Sequence, residues 1–589
     1  MTTPAHQFAE RSSQSLARGD ADAALQHARK GLAVCGEIPG LIWEECEALR
    51  ALGRLTERAI RLNRLAALQP SDPVVLAELG LALLDTTSAP QAIKPLRAAV
   101  ELGYQSDYVE TMLASLELEA DPARCEVRLR ALLVRDPTHL GALGMLWRLL
   151  NIQCRWSEAA SLEASWANRI ADGEAHSALP PFWLLGSDLD EAALHRYARA
   201  HVALRQAALP EVLAPFASPT RQGSSERLRI GYLSSDFHHH ATAMLIAGLL
   251  ELHTTDVEIF IYSYGPRTDD AYRARMKAAV SNWRDINTLS DREAAQLICA
   301  DRINVLVELK GRTYGARLGI AAFRPAPVVI HYLGYPGTLV AAGVEYLVAD
   351  SIIVPPSSEA HYDEAILRLP LCYQVNDAQR SRPPVALRAD VGLPQDCVVL
   401  CNFNQPYKWS ERFMQVWMRA LARSPDAVLW LLDAGATARE NVMALARQHK
   451  VAQQVLWAPH AHIDAHLARL GAANLALDQL PCASHTTAAD ALWMGVPLLT
   501  CYGDTFHGRV GASLAHAAGL DELVTPNIEA YERLLHNLLA QPDRLRAIQT
   551  EYGARAKAAP LFDTSTFTKH WEALLRKTYA AAAESAPKV

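Results

Sequence analysis

The chain has 589 residues, of which 50% are hydrophobic and 21% charged, a balance that predicts about three or four packed domains and excludes a disordered protein. The formal net charge of −7 argues against a general nucleic-acid-binding protein, because such proteins normally carry a basic excess. The ten cysteines form no CxxC pair, which excludes a disulfide framework or a zinc ribbon and favours a reducing cytoplasm. We expect no secretory signal, since the first residues are polar and charged, and no membrane span, since no apolar run reaches about 18–20 residues.

Residues 1–209 are rich in Ala, Leu, Arg and Glu, with apolar residues at helical spacing. Turn signals separate the helical blocks, and new helices are expected to begin after Asp72, Asp107 and Asp136, which are 35 and then 29 residues apart. This spacing is close to the roughly 34-residue period of tetratricopeptide helix pairs. Because such pairs cannot bury their apolar faces alone, we predict an α-solenoid. An irregular helical bundle is the alternative.

Residues 210–227, rich in Pro, Ser, Gly and Gln, predict a linker. Beyond it, short apolar runs alternate with helical segments, a pattern typical of doubly wound parallel sheets. A proline-rich segment around Arg382 divides this region into two halves, 228–385 and 386–580. Two sheets in series predict a two-domain enzyme whose ligands bind beyond the carboxyl ends of the strands. The predicted strands are 228–234, 257–264, 303–309, 326–333 and 346–350 in the first half, and 397–402, 428–432, 455–457, 475–477 and 498–501 in the second.

The segment 478–497 follows one of these strands and contains a predicted helix, 486–494. Its start, Ser484-His-Thr-Thr487, places hydroxyls and backbone N–H groups at the positive end of a helix dipole, which is a site for an anion such as phosphate. Asp490 lies one helical turn beyond Thr486, on the same face, where a carboxylate accepts hydrogen bonds from sugar hydroxyls. From these residues alone, an ordinary helix cap is an equal alternative.

Polar and glycine-containing loops follow several other predicted strands. His238, His239 and His240 follow the first strand, but adjacent residues in a short loop rarely converge on one metal ion, so we expect one functional histidine and no metal site. A turn containing Gly334 and Gly337 lets the backbone approach a ligand closely. In the second half, Lys408 is a suitable point charge for a diphosphate.

Six segments stand in this order in the chain: 228–237, 324–327, 333–338, 401–405, 428–432 and 485–487. Together they resemble the O-linked N-acetylglucosamine (O-GlcNAc) transferases, and the short repeat region of the chain is typical of a bacterial member. In that family, tetratricopeptide repeats precede an α/β glycosyltransferase of the GT-B type, which has two Rossmann-like domains. The resemblance implies inverting, metal-independent transfer of GlcNAc from UDP-GlcNAc to serine or threonine hydroxyls of proteins that the repeats present, with no further cofactor.

The resemblance assigns two residues to catalysis. Lys408 would neutralise charge on the leaving diphosphate, and His240 would face the reacting centre, either as a general base or as a residue that positions the acceptor. The remaining positions are expected to bind the donor: Gln405 and Lys408 at the diphosphate, His485, Thr486 and Thr487 at the phosphate-binding helix start, Asp490 at the ribose, His466 and Arg469 at the uridine, and Gly334, Pro336 and Gly337 at the sugar.

The acceptor side departs from the family pattern. Lys310-Gly-Arg-Thr313 stands where the family commonly has Asn-Gly-Tyr-Thr, His239-His240-Ala241 stands where it has Asn-His-Pro, and Met244 replaces a frequent histidine. Two alternatives follow. One is the related asparagine-linked transferase that uses UDP-glucose, and the other is a repeat scaffold that binds UDP with little or no turnover.

Overall fold

A computed structural model describes residues 3–84, 89–205 and 227–585 of the chain. The predicted linker 210–227 lies outside the described residues except for Arg227. The described part consists of a helical solenoid followed by two parallel sheets with helices packed against them. Within it, no helix combines the length and the apolarity that a membrane crossing needs. The predicted fold class is confirmed.

The solenoid consists of five helix pairs and one further helix. The first helices of the five pairs begin at residues 4, 39, 73, 107 and 140, which are 33 to 35 residues apart. This regular period favours stacked tetratricopeptide-like pairs over an irregular bundle. The helices are α1 (Pro4–Ala17), α2 (Ala21–Cys35), α3 (Pro39–Ala51), α4 (Leu55–Leu68), α5 (Pro73–Leu84), α6 (Ile93–Glu101), α7 (Asp107–Ala120), α8 (Pro122–Arg135), α9 (Leu140–Ile152), α10 (Trp156–Ala171) and α11 (Glu191–Arg205).

The helix expected directly after Asp136 begins later, at Leu140, so that predicted start is wrong. Oδ1 of Asp136 accepts hydrogen bonds from the backbone N–H and the hydroxyl of Thr138, at 2.9 and 2.7 Å, and thereby closes a turn. His139 then caps the helix, because its Nδ1 accepts a hydrogen bond of 3.0 Å from the N–H of Ala142. The later start makes the repeat period more regular than the sequence spacing indicates.

The first sheet has seven strands in the order β3-β2-β1-β4-β5-β6-β7, and every neighbouring pair is parallel. The two edge strands, β3 and β7, are absent from the sequence-based prediction, because they are short and contain polar residues. The strands are β1 (Leu228–Ser234), β2 (Val257–Ser263), β3 (Asn282–Asp285), β4 (Val305–Glu308), β5 (Val328–His331), β6 (Tyr346–Ala349) and β7 (Ala365–Arg368). Its main helices are α12 (Ala241–Leu252), α13 (Ala271–Ala279), α14 (Asp291–Ala300) and α15 (Leu318–Ala322).

The second sheet has six strands in the order β10-β9-β8-β11-β12-β13, again all parallel. Central strands of both sheets are buried on both faces, which explains why they appear in the sequence as continuous apolar runs. The strands are β8 (Val398–Asn402), β9 (Ala427–Leu432), β10 (Val455–Ala458), β11 (Leu475–Leu477), β12 (Leu498–Cys501) and β13 (Val524–Thr525). The helices are α16 (Glu411–Ala422), α17 (Ala436–Gln448), α18 (Ile463–Leu470), α19 (Thr486–Trp493), α20 (Phe506–Ala517), α21 (Ile528–Ala540), α22 (Pro542–Arg555) and α23 (Thr564–Ser585).

The last helix, α23, follows the second sheet in sequence but packs on the first. Nε1 of Trp571 donates a hydrogen bond of 2.8 Å to the hydroxyl of Tyr232 on β1. The chain therefore passes between the two sheet domains twice, once near Asn376 and once near Thr564. Hydrogen bonds join these two segments. The hydroxyl of Thr564 donates to the carbonyl of Asn376 at 2.7 Å and accepts from the N–H of Ala378 at 2.9 Å.

Glu572 anchors α23 to the loop after α12. Its carboxylate accepts hydrogen bonds from the N–H and the hydroxyl of Thr254, at 2.8 and 2.6 Å, and lies 2.8 Å from Nδ1 of His253. Burial raises the pKa of Glu572, but the hydrogen bonds with His253 and Thr254 outweigh burial and lower that pKa to about 2. The carboxylate is therefore charged in the folded protein at any pH above this value.

We expect the Glu572→Gln variant to lose about 2 kcal/mol of unfolding free energy at neutral pH, because hydrogen bonds to a charged acceptor are removed. The pKa in the folded chain lies below that in the unfolded chain, about 4.3, so the stabilisation is present above that pH and is lost as pH falls toward about 2. Urea unfolding at a series of pH values should show the difference from wild type shrinking in this range. Glu584→Gln, at an exposed position on the same helix, is the control, and a loss independent of pH would contradict the prediction.

The end of the solenoid contacts both sheet domains. Nε1 of Trp156 donates to the carbonyl of Trp409 at 3.3 Å, in the second domain. The carboxylate of Glu191 accepts a hydrogen bond from the hydroxyl of Tyr362 in the first domain and lies 3.4 Å from Nη1 of Arg509 in the second. The repeats are thus packed onto the two sheet domains rather than linked to them only through the chain.

Candidate active site

Each sheet has one place where the strand order reverses direction, between β1 and β4 in the first sheet and between β8 and β11 in the second. In open parallel sheets, ligands bind beyond the carboxyl ends of the strands at this switch point. Asp236 follows β1 and Lys310 follows β4, whereas Gln405 follows β8 and the loop 478–485 follows β11. Of the predicted site loops, those of His240, Gln405 and His485 therefore lie at the two switch points, whereas the turn at Gly334 follows β5 and His466 lies on α18 after β10.

Asp478 holds the loop after β11 in place. Its Oδ1 accepts a hydrogen bond of 2.6 Å from the N–H of Ser484, and its Oδ2 accepts one of 2.7 Å from the hydroxyl of Thr500. Burial raises the pKa of Asp478, against the effect of these hydrogen bonds. Asp478 therefore has a structural role, since it closes the loop that leads into α19.

The start of α19 has the features of an anion site. His485 occupies the N-cap position, and no side chain caps the helix. The first backbone N–H groups of α19 therefore form the positive end of the helix dipole and have no partner within the helix. The hydroxyl of Thr487 donates to Oδ1 of Asn404 at 2.6 Å, and Nδ2 of Asn404 donates to the hydroxyl of Ser484, also at 2.6 Å. Asn404, which the sequence analysis did not single out, thus joins the loop after β8 to the helix start.

Lys408 lies directly beside this helix start. It ends a short 3-10 helix, Pro406–Lys408, and its Nζ donates a hydrogen bond of 2.8 Å to the carbonyl of Ala483. Burial opposes the charge, but Cys482, Tyr407 and Asp478 outweigh burial and raise the pKa of Lys408. The lysine is therefore a cation beside the helix start, while the predicted Gln405 is exposed at the beginning of the same turn.

His485 is neutral in this environment. Burial, and then the neighbouring Lys408, lower the pKa of His485 well below its usual value. Its Nε2 lies 3.2 Å from the carbonyl of His507, so this nitrogen carries the proton and donates. Because the ring of His485 is uncharged, the positive groups at this predicted phosphate site are the ammonium of Lys408 and the start of α19.

The predicted ribose carboxylate, Asp490, is held by an arginine. Oδ1 of Asp490 accepts a hydrogen bond of 2.7 Å from Nη1 of Arg380, whose guanidinium lies 5.1 Å from the ring centroid of Trp493. Arg380 comes from the segment that joins the two sheet domains, so only the folded structure shows this pairing. The charge-assisted bond fixes the orientation of Asp490.

The two residues predicted to contact uridine lie side by side behind Phe403. Nη2 of Arg469 is 3.1 Å from Nδ1 of His466, and the guanidinium of Arg469 lies 4.9 Å from the ring centroid of Phe403. Burial lowers the pKa of both side chains. Arg469 is buried and also donates to the carbonyl of Pro459, so it supports this wall of the cleft.

We expect the Asp490→Asn variant to bind UDP about tenfold more weakly than wild type, because an amide is a poorer acceptor for sugar hydroxyls than a carboxylate. Isothermal titration calorimetry with UDP measures this difference. Asp464→Asn, at an exposed position on the neighbouring α18, is the matched control and should bind UDP normally. Unchanged affinity in Asp490→Asn would remove the predicted role of this carboxylate.

His240 caps α12, and this contact fixes its protonation. Its Nδ1 accepts a hydrogen bond of 3.1 Å from the N–H of Thr242, so the proton of the neutral ring is on Nε2. Burial lowers the pKa of His240, although the nearby Asp236 works against burial. An Nε2–H group donates a hydrogen bond, and the geometry therefore favours the positioning role over the role of a base.

A buried ion pair lies beside His240. Nζ of Lys310 is 2.8 Å from Oδ1 of Asp236, and the two residues are 8% and 5% exposed. Oδ2 of Asp236 is 3.7 Å from Nδ1 of His240. Burial raises the pKa of Asp236, but Lys310 and His240 outweigh burial and lower it. Neither member of the pair was among the predicted site residues, although each follows a strand beside the switch point.

The loop that carries Lys310 is held from two sides. The carboxylate of Glu308 accepts hydrogen bonds from the N–H groups of Lys310 and Gly311, at 2.9 and 2.7 Å. Gly334 packs against the same loop, and a Cβ atom at this position would lie 2.1 Å from the carbonyl oxygen of Leu309. The close approach expected at Gly334 is thus to the protein's own backbone, while Pro336 beside it is buried.

The histidine run does not form a metal centre in the described part of the chain. The rings of His238 and His240 lie 5.8 Å apart, and the ring of His239 contacts Tyr272 instead. Among the described residues, no group of three His, Cys, Asp or Glu side chains has a metal-binding arrangement. Metal independence of the reaction stays a prediction.

The two parallel-sheet domains, the donor loops at the switch points and the preceding repeats together define a GT-B glycosyltransferase architecture. A model of glycosyl transferase family 41 matches residues 193–383 and 380–571. The chain belongs to glycosyl transferase family 41.

Relatives with similar names support this result. The chain is 32% identical over 445 residues to a protein of Arabidopsis thaliana named probable UDP-N-acetylglucosamine–peptide N-acetylglucosaminyltransferase SEC, and the match covers 72% of this chain and 46% of the relative. It is 23% identical over 467 residues to the UDP-N-acetylglucosamine–peptide N-acetylglucosaminyltransferase of Caenorhabditis elegans, covering 60% and 41%. The chain thus spans less than half the length of these relatives. A solved mutant of the Thermobaculum terrenum O-GlcNAc transferase aligns over 99% of this chain and 100% of its own, with a TM-score of 0.59 and 23% identity, and shares its fold.

Proposed function

We propose that this protein transfers GlcNAc from UDP-GlcNAc to serine or threonine hydroxyls of polypeptides, with inversion at the anomeric carbon and without a metal. The observation that carries the proposal is the donor cradle, in which the uncapped start of α19 lies beside the ammonium of Lys408. Helix N–H groups and a lysine are a suitable pair for a diphosphate. Family membership and the names of the relatives support the choice of donor and acceptor.

In this mechanism, the bond from the anomeric carbon to the diphosphate breaks while the acceptor oxygen bonds to the opposite face of the sugar. Lys408 and the start of α19 stabilise the charge that develops on the leaving UDP. Asp490, held by Arg380, binds the ribose hydroxyls. Nε2–H of His240 orients the acceptor hydroxyl, which releases its proton to solvent as the new bond forms. The ion pair of Asp236 with Lys310 lies on the Nδ1 side of the same ring and holds it in place.

The proposal includes a cytoplasmic location in a bacterial cell and presentation of acceptor proteins by the repeats. All ten cysteines are free thiols, which supports a reducing compartment. The packing of the solenoid onto both sheet domains supports presentation, because a polypeptide bound by the repeats is then held next to the cleft.

The direct test is to incubate the full chain with radiolabelled UDP-GlcNAc and lysate proteins, and then to identify the modified residue and the sugar. Label on serine or threonine, formed equally well with a chelator present during the reaction, supports the proposal. UDP-glucose as donor and asparagine as acceptor would instead support the N-linked alternative. UDP binding with neither transfer nor hydrolysis would support the scaffold, and absence of UDP binding would overturn all three.

A further inference from the structure

A large cavity lies between the solenoid and the first sheet domain. Its volume is about 1810 Å³, and its wall includes residues of helices α4 to α7, α9 and α11 and of the loops at 287–291, 311–319 and 340–342. Gly311 and Arg312, which line it, directly follow Lys310 of the buried ion pair. The cavity therefore extends from the repeats to the loop that carries Lys310.

The wall of this cavity is positively charged, in a chain whose net charge is −7. Among the described lining residues, six are Arg or Lys and three are Asp or Glu. Two of the acidic residues are already paired across the wall, Glu78 with Arg58 and Asp291 with Arg317. The cavity is thus complementary to an acidic ligand.

Arg148, on α9, is the most unusual of these cations. It is only 8% exposed, yet among the described residues it has no ion pair, and its Nε is buried without a hydrogen-bond partner. Its guanidinium lies among three aromatic rings, 5.9 Å from the centroid of Phe182, 5.5 Å from that of Trp183 and 4.6 Å from that of Tyr407. Burial lowers the pKa of Arg148, against the effects of Tyr407 and Glu119.

Aromatic faces compensate part of the cost of burying a cation, but they give no hydrogen bonds to its N–H groups. A carboxylate neutralises the buried charge and also accepts two parallel hydrogen bonds from the planar guanidinium. Arg148 lines the cavity, so a ligand inside it can supply that carboxylate. The apolar side chains that also line the cavity favour a polypeptide over a small anion.

We propose that this cavity binds an acidic segment of the acceptor polypeptide, one of whose carboxylates pairs with Arg148. This inference rests on the proposed function, since it assigns the chemistry of the acceptor. It predicts that serine or threonine residues flanked by aspartate or glutamate are the preferred sites of modification.

The test uses the full chain and two fluorescein-labelled peptides. In one, a central serine is flanked on each side by alternating Asp and Ala, and in the other Asn replaces every Asp. Fluorescence anisotropy should show that wild type binds the Asp peptide at least about tenfold more tightly, an advantage of about 1.4 kcal/mol, and that Arg148→Met removes the preference while binding the Asn peptide normally. Arg148→Lys keeps the charge but not the paired N–H donors of the guanidinium, so it should retain part of the preference for the Asp peptide.

Lys94→Gln is the matched control, because Lys94 is an exposed cation in the same wall. Lys94→Gln should retain most of the preference for the Asp peptide, since it lowers the positive potential of the cavity but removes no direct partner of the carboxylate. Equal binding of the two peptides by wild type, no binding of either, or equal losses in Arg148→Met and Lys94→Gln would overturn the inference.

UDP calorimetry and thermal unfolding on each variant distinguish a loss of peptide binding from a loss of donor binding or of the fold. Selective peptide binding without sugar transfer would overturn the proposed function and leave this site standing, whereas transfer without peptide selectivity would do the reverse.

Discussion

The Lys408→Met variant is expected to transfer sugar about 10²–10³-fold more slowly than wild type, because it removes the cation that stabilises the leaving diphosphate. Methionine keeps a long apolar stem in place of the buried part of the lysine, so the loop around Ala483 should persist. Initial rates at saturating UDP-GlcNAc and peptide measure the loss, and it should appear in kcat with little change in the KM for the peptide.

Lys569→Met serves as the control, since this lysine is exposed on α23 and should leave the rate unchanged. A Lys408→Met enzyme as fast as wild type would show that the start of α19 alone stabilises the leaving group. The proposed role of Lys408 would then have to be withdrawn, while UDP binding would still stand.

The second large effect is expected from Lys310→Met, which leaves the carboxylate of Asp236 buried without its cation. Breaking one side of a buried ion pair costs about 3–5 kcal/mol of unfolding free energy. The pKa of Asp236 is lowered in the folded protein, because Lys310 and His240 outweigh burial. Its stabilisation is therefore present above the pKa of the unfolded chain, about 3.9, and is lost as pH falls through the lower pKa of the folded chain.

Urea unfolding at neutral pH and near pH 4 should show a deficit for Lys310→Met that becomes smaller at the lower pH, because protonation of Asp236 removes the unpaired charge. The double variant Asp236→Asn, Lys310→Met should recover part of the lost stability, since it no longer buries a charge. A double variant less stable than Lys310→Met would mean that Lys310 acts mainly through packing. Sugar transfer should fall in both variants, because the ring of His240 loses the intact ion pair beside its Nδ1.

The buried strands were predictable because a strand covered on both faces has a continuous apolar sequence. All ten predicted strands are present, with ends shifted by one to two residues in most. The strands that the prediction missed, β3, β7 and β13, lie at sheet edges and have only two to four residues, so none contains a long apolar run. The shifted start of α9 has a local cause, because Asp136 forms a turn before His139 caps the helix.

The donor loops were predictable because their residues are close together in sequence and resemble a known pattern. The contacts that complete the site are not local. Asp236 and Lys310 meet because β1 and β4 are neighbours, and Arg380 reaches Asp490 from the segment between the domains. The tautomer of His240 depends on the capping contact with Thr242, which a sequence does not reveal. Pairings of this kind follow from strand order and helix placement, so they require the fold.

The double passage of the chain between the two sheet domains has a mechanical consequence. Because Thr564 ties the two passages together next to Asn376, we expect any relative motion of the domains to be a rotation about this point rather than a free separation. Glu191 of the solenoid contacts Tyr362 on one side of the cleft and Arg509 on the other, and it acts as a brace across that rotation. We expect any widening of the cleft between the two sheet domains to stretch or release these contacts, so the solenoid should limit how far the domains separate.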